Sequence, residues 1–190
     1  RNALREVIAC LEQHSGESGI IYCFSRKQVD KLTEQLNDAG YSALNYHAGL
    51  SDEERRNHQQ QFIRDKVRIM VATVAFGMGI DKPNVRFVIH YDLPKSLEEY
   101  YQEIGRAGRD GLASHALLLY SAGDAHKIRS FFSEAADSAN SERLLQAMLS
   151  FASARICRRH FLLSYFGERF TPAEAEAESG CGQSDTFPCC

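Results

Sequence analysis

Two arginines three positions apart form the most specific chemical pattern in the sequence. Arg106 and Arg109 each follow a glycine, within the segment Tyr-Tyr-Gln-Glu-Ile-Gly-Arg-Ala-Gly-Arg-Asp-Gly at positions 100–111. Guanidinium groups suit phosphate because they are planar, permanently charged and able to bind two oxygens at once. The spacing therefore favours two fixed cations beside a phosphate group. The alternative is a glycine-rich helix end that carries two solvated arginines.

A second glycine-rich segment, at positions 71–83, begins with an apolar run and continues through Gly77, Gly79 and Asp81. A strand that leads into a Gly-x-Gly turn allows backbone N–H groups to approach a phosphate. A tight connection between a strand and a helix is the alternative. Asp81 either faces a ligand or only braces this turn.

Four of the six cysteines lie toward the end of the sequence: Cys157, Cys181, Cys189 and Cys190. In a protein from inside the cell, such a cluster indicates metal binding more readily than disulfide bonds. Cys10 and Cys23 lie in apolar patterns instead, and we expect them to be small core residues.

Short apolar runs alternate with helical patterns over the first 120 residues, and this alternation predicts a parallel sheet with helices on both faces. Strands are predicted at 20–24, 42–46, 67–73, 85–90 and 116–120. Helix starts with the pattern of a capping box are predicted at Ser25 with Gln28, Ser51 with Glu54, and Ser96 with Glu99. Ligands of such sheets bind at the carboxyl ends of the strands. The segments predicted there are 25–26, 47–49, 73–81 and the turn after His90.

The pattern changes after about residue 120. We predict a helix around Ile128, a polar break at 137–140, a helix that begins at Leu144 and a further helix at 156–165. A domain boundary near residue 135 would separate an α/β domain (1–135) from a helical extension (136–190), which we expect to be truncated at its end.

The net charge of −3 means that any contact with nucleic acid must be local, because the overall field is weakly repulsive. No apolar run approaches the roughly 18 residues of a membrane span, and we expect a soluble protein without a membrane partner. We expect a cytoplasmic, nucleoid-associated protein if it is bacterial, and a nuclear one if it is eukaryotic.

The order Gln-x-x-Gly-Arg-x-Gly-Arg at 102–109 resembles motif VI of superfamily 2 helicases. The segments at 22–26, 46–50 and 71–83 resemble the RecQ family of DNA helicases, whose second RecA-like motor domain the chain is predicted to contain. By this resemblance Arg109 is the arginine finger that reaches the γ-phosphate of ATP, Arg106 supports it, and Gln102 links the nucleotide to the domain interface.

The resemblance also places Gly79 and Asp81 near the ribose and phosphates of ATP, and it assigns Thr73 to the DNA backbone. Ser25 and Arg26 lie in the segment that resembles motif IV. Ser25 is first of all a helix N-cap, whereas Arg26 in the first turn is unfavourable against the helix dipole and suggests an external anion such as a DNA phosphate. His47 is a candidate DNA contact, with a structural role as the alternative.

The segment that begins Cys157-Arg158-Arg159-His160 resembles the start of the RecQ zinc-binding region. In that family one helix cysteine and three loop cysteines form a structural Cys₄ zinc site, which is closed to water. Here the resemblance implies Cys157, Cys181 and Cys190, with the fourth thiolate beyond the end of this chain. A site that uses both Cys189 and Cys190, and a tail of unliganded cysteines, are the alternatives.

The sequence contains neither a Gly-x-x-x-x-Gly-Lys-Ser/Thr phosphate loop nor an Asp-Glu-x-His pair for Mg²⁺. We therefore expect the C-terminal motor half of an ATP-dependent 3′-to-5′ DNA helicase, inactive alone. It would share ATP and Mg²⁺ with a first RecA-like domain of the same protein, bind single-stranded DNA and duplex junctions, and hold structural Zn²⁺. A superfamily 2 helicase that acts on RNA, such as a DEAD-box enzyme, and a non-enzymatic zinc-dependent nucleic-acid-binding module are the alternatives.

Overall fold

The computed structural model describes residues 2–74, 76, 81–121, 123–132 and 138–168 of the 190. The strands are β1 (Ser18–Tyr22), β2 (Ala43–Tyr46), β3 (Ile69–Ala72), β4 (Val85–His90) and β5 (His115–Leu118). The helices are α1 (Ala3–Gln13), α2 (Arg26–Asp38), α3 (Asp52–Ile63), α4 (Leu97–Ile104), α5 (Asp124–Phe132), α6 (Ser138–Ser153) and α7 (Arg158–Tyr165).

The five strands form one parallel sheet in the order β2-β3-β1-β4-β5. At its centre Ile20 of β1 pairs with Met70 of β3 on one side and with Val88 of β4 on the other. All three side chains are fully buried, as expected for strands that are covered on both faces. The predicted parallel sheet is confirmed.

Two apolar clusters cover the two faces of this sheet. Along β1 the side chains alternate, so that Ile21 faces α1 and α2 whereas Ile20 and Tyr22 face α3 and the end of α4. The first cluster includes Val7, Leu11, Leu32 and Leu36, and the second includes Phe62, Phe76 and Ile104. We call these sides of the sheet the α1/α2 face and the α3/α4 face.

The predicted helix starts have side-chain caps. Ser51 and Glu54 form a complete capping box, with 3.2 Å from Glu54 N to Ser51 Oγ and 2.9 Å from Ser51 N to Glu54 Oε2. Ser25 Oγ accepts from Gln28 N–H at 3.2 Å and caps α2. Ser96 Oγ accepts from Glu99 N–H at 3.1 Å. Glu99 Oε2 in turn accepts from the backbone N–H of Lys95 at 2.8 Å.

The chain forms two compact units, Arg1–Pro94 with Gln102–Lys127, and Lys95–Tyr101 with Ile128–Cys190. In the second unit Phe151 of α6 packs against the rings of Tyr100 and Phe161, with centroids 5.1 and 5.5 Å away. Tyr165 Oη donates to Glu98 Oε1 at 2.8 Å. The predicted boundary near residue 135 lies outside the described residues and stays a prediction.

The predicted polar break at 137–140 is wrong for residues 138–140, because Ser138 to Asn140 form the first turn of α6. Short polar side chains suit a helix start because they can accept from the first backbone N–H groups, which have no partner within the helix. In this turn Asn140 Oδ1 accepts from Arg143 Nη2 at 3.1 Å. Within the described residues, no helix is both long and apolar enough to cross a membrane.

Candidate functional site

The predicted site residues fall into two groups. Ser25, Arg26, His47 and Thr73 follow the carboxyl ends of β1, β2 and β3, as the parallel topology requires. Arg106 and Arg109 lie in the turns after α4. Asp81 was predicted at the carboxyl ends of the strands. The next residue, Lys82, instead pairs with Asp65, whose carboxylate also accepts from Ser18 at the amino end of β1.

Arg109 and Asp81 lie close together although 28 positions separate them. Arg109 Nη1 is 3.4 Å from Asp81 Oδ1, and Arg109 Nε donates to the carbonyl of Gly105 at 3.4 Å. The Asp81 side chain is 92% exposed and that of Arg109 is 36% exposed. An ion pair this exposed contributes at most about 1 kcal/mol. Loss of the contact with Asp81 therefore costs little, which would favour a more highly charged anion in its place.

The backbone on both sides of Arg109 is fixed to the beginning of β4. Gly108 N–H donates to the carbonyl of Val85 at 3.0 Å. Asp110 accepts from Arg86, whose guanidinium holds the pKa of the Asp110 carboxyl below its usual value. The structure thus combines an exposed cationic side chain with a constrained backbone, which is the arrangement that suits a ligand-binding arginine.

Gly108 is required at its position for two reasons. Its φ of +68° lies in the left-handed region, and an added Cβ would lie 2.9 Å from both the carbonyl oxygen of Leu112 and Oγ of Ser114. A larger residue would have to move the turn that carries Arg109. This explains one of the two glycines in the arginine pattern on steric grounds.

Arg106 lies beside a buried polar layer that the sequence reasoning missed. Tyr22 accepts a hydrogen bond from Arg106, stacks on His90 with ring centroids 5.6 Å apart, and donates from Oη to the carbonyl of Phe76 at 3.0 Å. His90 Nε2 is 2.8 Å from Glu103 Oε2, and both side chains are buried. Desolvation by burial raises the pKa of Glu103 to about 8, against the opposing charge of Arg106. This layer connects the end of β4 to the turn that carries Arg106.

Arg26 and His47 lie near each other beyond β1 and β2. A Cβ built on Gly49 would lie 3.0 Å from His47 Nδ1 and 3.3 Å from Arg26 Cδ. Arg26 is exposed in the first turn of α2, and this turn contains no acidic side chain. The N-terminus of α2 therefore presents a guanidinium and the positive end of the helix dipole together, which favours an anion.

Both ring nitrogens of His47 have partners within the protein. Nδ1 accepts from Gly49 N–H at 3.1 Å, so Nε2 carries the proton and donates to Asp30 Oδ1 at 2.8 Å. Although desolvation opposes the effect, hydrogen bonds from Asn45 and His47 hold the pKa of Asp30 below its usual value. The contacts favour a structural role for His47, and its contact with DNA stays a prediction.

Thr73 and Lys82 lie near the two ends of the second glycine-rich segment. Thr73 N–H donates to the carbonyl of Tyr46 at 3.1 Å. The buried Lys82 Nζ is 2.7 Å from Asp65 Oδ1, and this oxygen also accepts from Ser18 Oγ at 3.0 Å. The hydrogen bond from Lys82 holds the pKa of Asp65 below its usual value. This ion pair fixes the chain next to Asp81.

Three other predictions concern positions for which the contacts are less informative. Gln102 is exposed on α4. Cys157 is the N-cap residue of α7, and its role as a metal ligand stays a prediction. Gly79, Cys181, Cys189 and Cys190 lie outside the described residues, so their predicted roles stay predictions.

The positioning residues Glu103, Asp30 and Lys82 were not predicted from the sequence. A weak signal exists for Glu103, because it lies three residues before Arg106 and beside the apolar positions of a helix. Asp30 and Lys82 have exposed-type side chains whose partners lie 17 positions away in each case. Only the fold reveals those pairs.

Comparison with known proteins identifies both parts of the chain. Residues 1–111 match the family model described as "Helicase conserved C-terminal domain", and residues 122–189 match "RecQ zinc-binding". A relative from Pasteurella multocida, named ATP-dependent DNA helicase RecQ, is 51% identical over 80% of this chain and 25% of its own length. RecQ-like DNA helicase blm-1 of Caenorhabditis elegans is 44% identical over 98% of this chain and 19% of its own length.

The fold agrees with this result. The crystal structure of a DEAD-box protein from Methanococcus jannaschii aligns with a TM-score of 0.59 and 27% identity, over 76% of this chain and 37% of that one. The chain thus spans only about a fifth to a quarter of the curated relatives described above, at 19% and 25% of their lengths. With the parallel sheet, the two arginines and both family models in agreement, the chain belongs to the RecQ helicase family and contains its helicase C-terminal domain followed by its zinc-binding region.

Proposed function

We propose that the chain is the C-terminal motor half of an ATP-dependent 3′-to-5′ DNA helicase. The single observation that carries the proposal is the weak, exposed ion pair between Arg109 and Asp81, on a backbone fixed at both Gly108 and Asp110. Because its backbone is held in place and its ion pair with Asp81 is exposed, the Arg109 guanidinium can bind an anion from outside the chain. The γ-phosphate of ATP, held with Mg²⁺ by a first motor domain of the same protein, fits that requirement.

In the proposed reaction, Arg109 would stabilise the charge that develops on the γ-phosphoryl oxygens. Its guanidinium would bind these oxygens more strongly in the transition state than in bound ATP. Arg106, supported by Tyr22, would provide a second positive charge. Asp81, which Arg109 releases, would then be available for a ribose hydroxyl, with Gly79 nearby and Gln102 toward the domain interface. Mg²⁺, when bound, neutralises the β- and γ-phosphate oxygens.

The carboxyl-end group would form part of the path for single-stranded DNA. Arg26 at the N-terminus of α2, with the capping residue Ser25, provides a positive site for one backbone phosphate. Thr73 supplies a hydroxyl at the adjacent strand end, and His47 would orient this region through Asp30. The net charge of −3 requires such local contacts.

We propose that Cys157, Cys181 and Cys190 hold a structural Zn²⁺, with Cys189 as an alternative or additional ligand; the match to the zinc-binding family model supports the metal. Such an ion would stabilise the helical extension and take no part in hydrolysis. In cells, we propose a location with DNA: the cytoplasm and nucleoid of a bacterium, or the nucleus of a eukaryote.

Unwinding by the full-length protein tests this proposal. We expect separation of a DNA duplex with a 3′ single-stranded tail, and little activity on a 5′-tailed DNA duplex or on duplex RNA. The chain of 190 residues alone should show no DNA-stimulated ATP hydrolysis above background. Preference for duplex RNA would support the RNA-helicase alternative, and zinc-dependent DNA binding without any ATP hydrolysis would support the binding module.

A further inference from the structure

Three metal-binding side chains meet on the α1/α2 face of the sheet, away from the cysteines of the extension in sequence. Cys10 lies in the last turn of α1, His14 directly follows that helix, and His115 begins β5. Phe87 of β4 is the register partner of His115, and its side chain belongs to the same face. The fold thus joins residues that lie up to 105 positions apart.

The ligand atoms of the three side chains are already close together. His14 Nε2 is 3.2 Å from His115 Nδ1, and Cys10 Sγ is 4.0 Å from the same His115 nitrogen. All three ligand atoms lie within 4.8 Å of one another. Tetrahedral zinc with standard bond lengths requires about 3.3 Å between two nitrogens and about 3.6 Å between nitrogen and sulfur. The distance between the two nitrogens is within about 0.1 Å of that geometry, and the distance from Cys10 Sγ to His115 Nδ1 is within about 0.4 Å of it.

Glu17 orients the central histidine of this set. Its Oε2 lies 2.6 Å from His14 Nδ1. A proton on Nδ1 that is shared with a carboxylate leaves Nε2 with a lone pair, and this lone pair points toward His115. A carboxylate that holds the far nitrogen of a metal-binding histidine is a common second layer of zinc sites.

The surroundings restrict the rings further. The His14 ring packs against Phe87 with centroids 5.3 Å apart and against His115 at 5.4 Å. Cys10 is buried, whereas His115 is exposed. A cavity of about 260 Å³ whose lining includes His14, Glu17 and Phe87 lies beside the cluster and offers a path for an ion. The arrangement is rigid on the thiol side and open on the solvent side.

We propose that Cys10, His14 and His115 bind one Zn²⁺ ion, in a site separate from that of the cysteine-rich extension. Thiolate with two imidazoles suits borderline-soft zinc rather than Mg²⁺ or Ca²⁺. Three protein ligands leave a fourth position for water on the exposed side. The ion would cross-link the end of α1 to the beginning of β5.

Metal analysis of the full chain after equilibrium dialysis against zinc tests this proposal. His115→Gln should bind about one zinc ion fewer per chain than the parent protein, because a site of two ligands holds zinc poorly. His126→Gln is the matched control, since this histidine is also exposed but lies on α5. It should retain the parent stoichiometry. Circular dichroism of all samples checks that each variant is folded.

Cobalt provides a second readout that is specific for the thiolate. In a chain with Cys157, Cys181, Cys189 and Cys190 replaced by serine, Co²⁺ should still give a thiolate-to-metal charge-transfer band. Cys10→Ala and His115→Gln should each abolish that band. If the serine background does not fold, the zinc difference in the native chain decides.

Equal zinc content in the parent and His115→Gln would overturn the proposal. In that case Glu17, His14 and His115 would only be hydrogen-bonded to one another, and they would bind no metal. A charge-transfer band that survives Cys10→Ala would equally exclude Cys10 as the ligand.

Discussion

The functional side chains on the two faces of the sheet differ in their exposure to solvent. Next to Ala107, which packs on the α3/α4 face, Arg109 lies 3.4 Å from Asp81, whose side chain is 92% exposed. On the α1/α2 face, Cys10 is only 4% exposed and its neighbours are two imidazoles. The first arrangement leaves an ion pair largely exposed to water, whereas the second packs three donor side chains together, with the thiol buried and His115 at the surface.

The difference follows from the cost of desolvation. A buried guanidinium without a partner would cost several kcal/mol, so a cation that awaits an external anion must remain hydrated and be positioned by its backbone. Thiol and imidazole groups are cheaper to bury in their neutral forms. They can therefore be ordered by packing, here against Phe87. The two faces should respond differently to the same kind of substitution.

The largest effect is expected for Arg109→Ala in the full-length enzyme. DNA-stimulated ATP turnover should fall at least ~10²-fold, because an arginine finger contributes on the order of 10³–10⁵ and Arg106 covers part of the loss. ATP affinity should change far less. Arg109→Lys should restore little, since the planar fork is lost. Steady-state ATPase assays measure this.

Arg5→Ala is the control for that experiment, because Arg5 is exposed on α1 and should leave turnover unchanged. Near-normal turnover of Arg109→Ala together with loss in Arg106→Ala would reassign the finger to Arg106. Normal hydrolysis by both variants would show that neither arginine serves the motor.

A matched pair of glycine substitutions tests the constrained backbone. Gly108 and Gly111 both have positive φ, at +68° and +80°, but only Gly108 has atoms in the way of a side chain. Gly111→Ala should lower the free energy of unfolding by about 1 kcal/mol from backbone strain alone. Gly108→Ala should cost about 2–4 kcal/mol and should also reduce ATP turnover of the full-length enzyme. Equal losses in urea unfolding would contradict the steric account.

The pH dependence of stability tests the buried Glu103. Its pKa is raised to about 8, so it contributes stability that is complete below its unfolded pKa and is lost as pH rises through the folded value. The free energy of unfolding should therefore decline between about pH 4.5 and 8, by at most about 1.4 kcal/mol per pH unit. Glu103→Gln should flatten this decline. Glu34→Gln, at an exposed position of α2, should leave it as in the parent.

A smaller effect is expected for Arg26→Ala. Binding of single-stranded DNA by the full-length protein should weaken severalfold, and the slope of log affinity against log salt should decrease by about 1, because one phosphate contact is lost. Lys66→Ala removes an exposed charge after α3 and should not change the slope. An unchanged slope for Arg26→Ala would remove this residue from the DNA path.

The smallest effect completes the comparison between the faces. His115→Gln should leave ATP turnover within about twofold of the parent, while it changes zinc content. Arg109→Ala should do the reverse. If His115→Gln lowered turnover as much as Arg109→Ala does, the two faces would be coupled and the separation drawn above would fail.

Much of the α3/α4 face could be predicted from the sequence because its chemistry lies in short segments. Arg106 and Arg109 lie in neighbouring turns of one short segment. The strand β4 was predicted at its observed bounds, Val85–His90. The strand order could not be predicted, because β1 pairs with β3 and β4 rather than with its sequence neighbour β2. Cys10 was correctly predicted as a core residue, but its approach to His115 depends on that order.

Gly19 in β1 has a dynamic consequence. A Cβ at this position would overlap the ring of Phe87, so the ring lies directly on the backbone of the neighbouring strand. Phe87 is 1% exposed, and its ring can rotate by 180° only when the packing around it loosens briefly. We therefore expect slow exchange between the two sides of the Phe87 ring in NMR spectra. The rate of that exchange reports how often the packing between this ring and the backbone of β1 loosens.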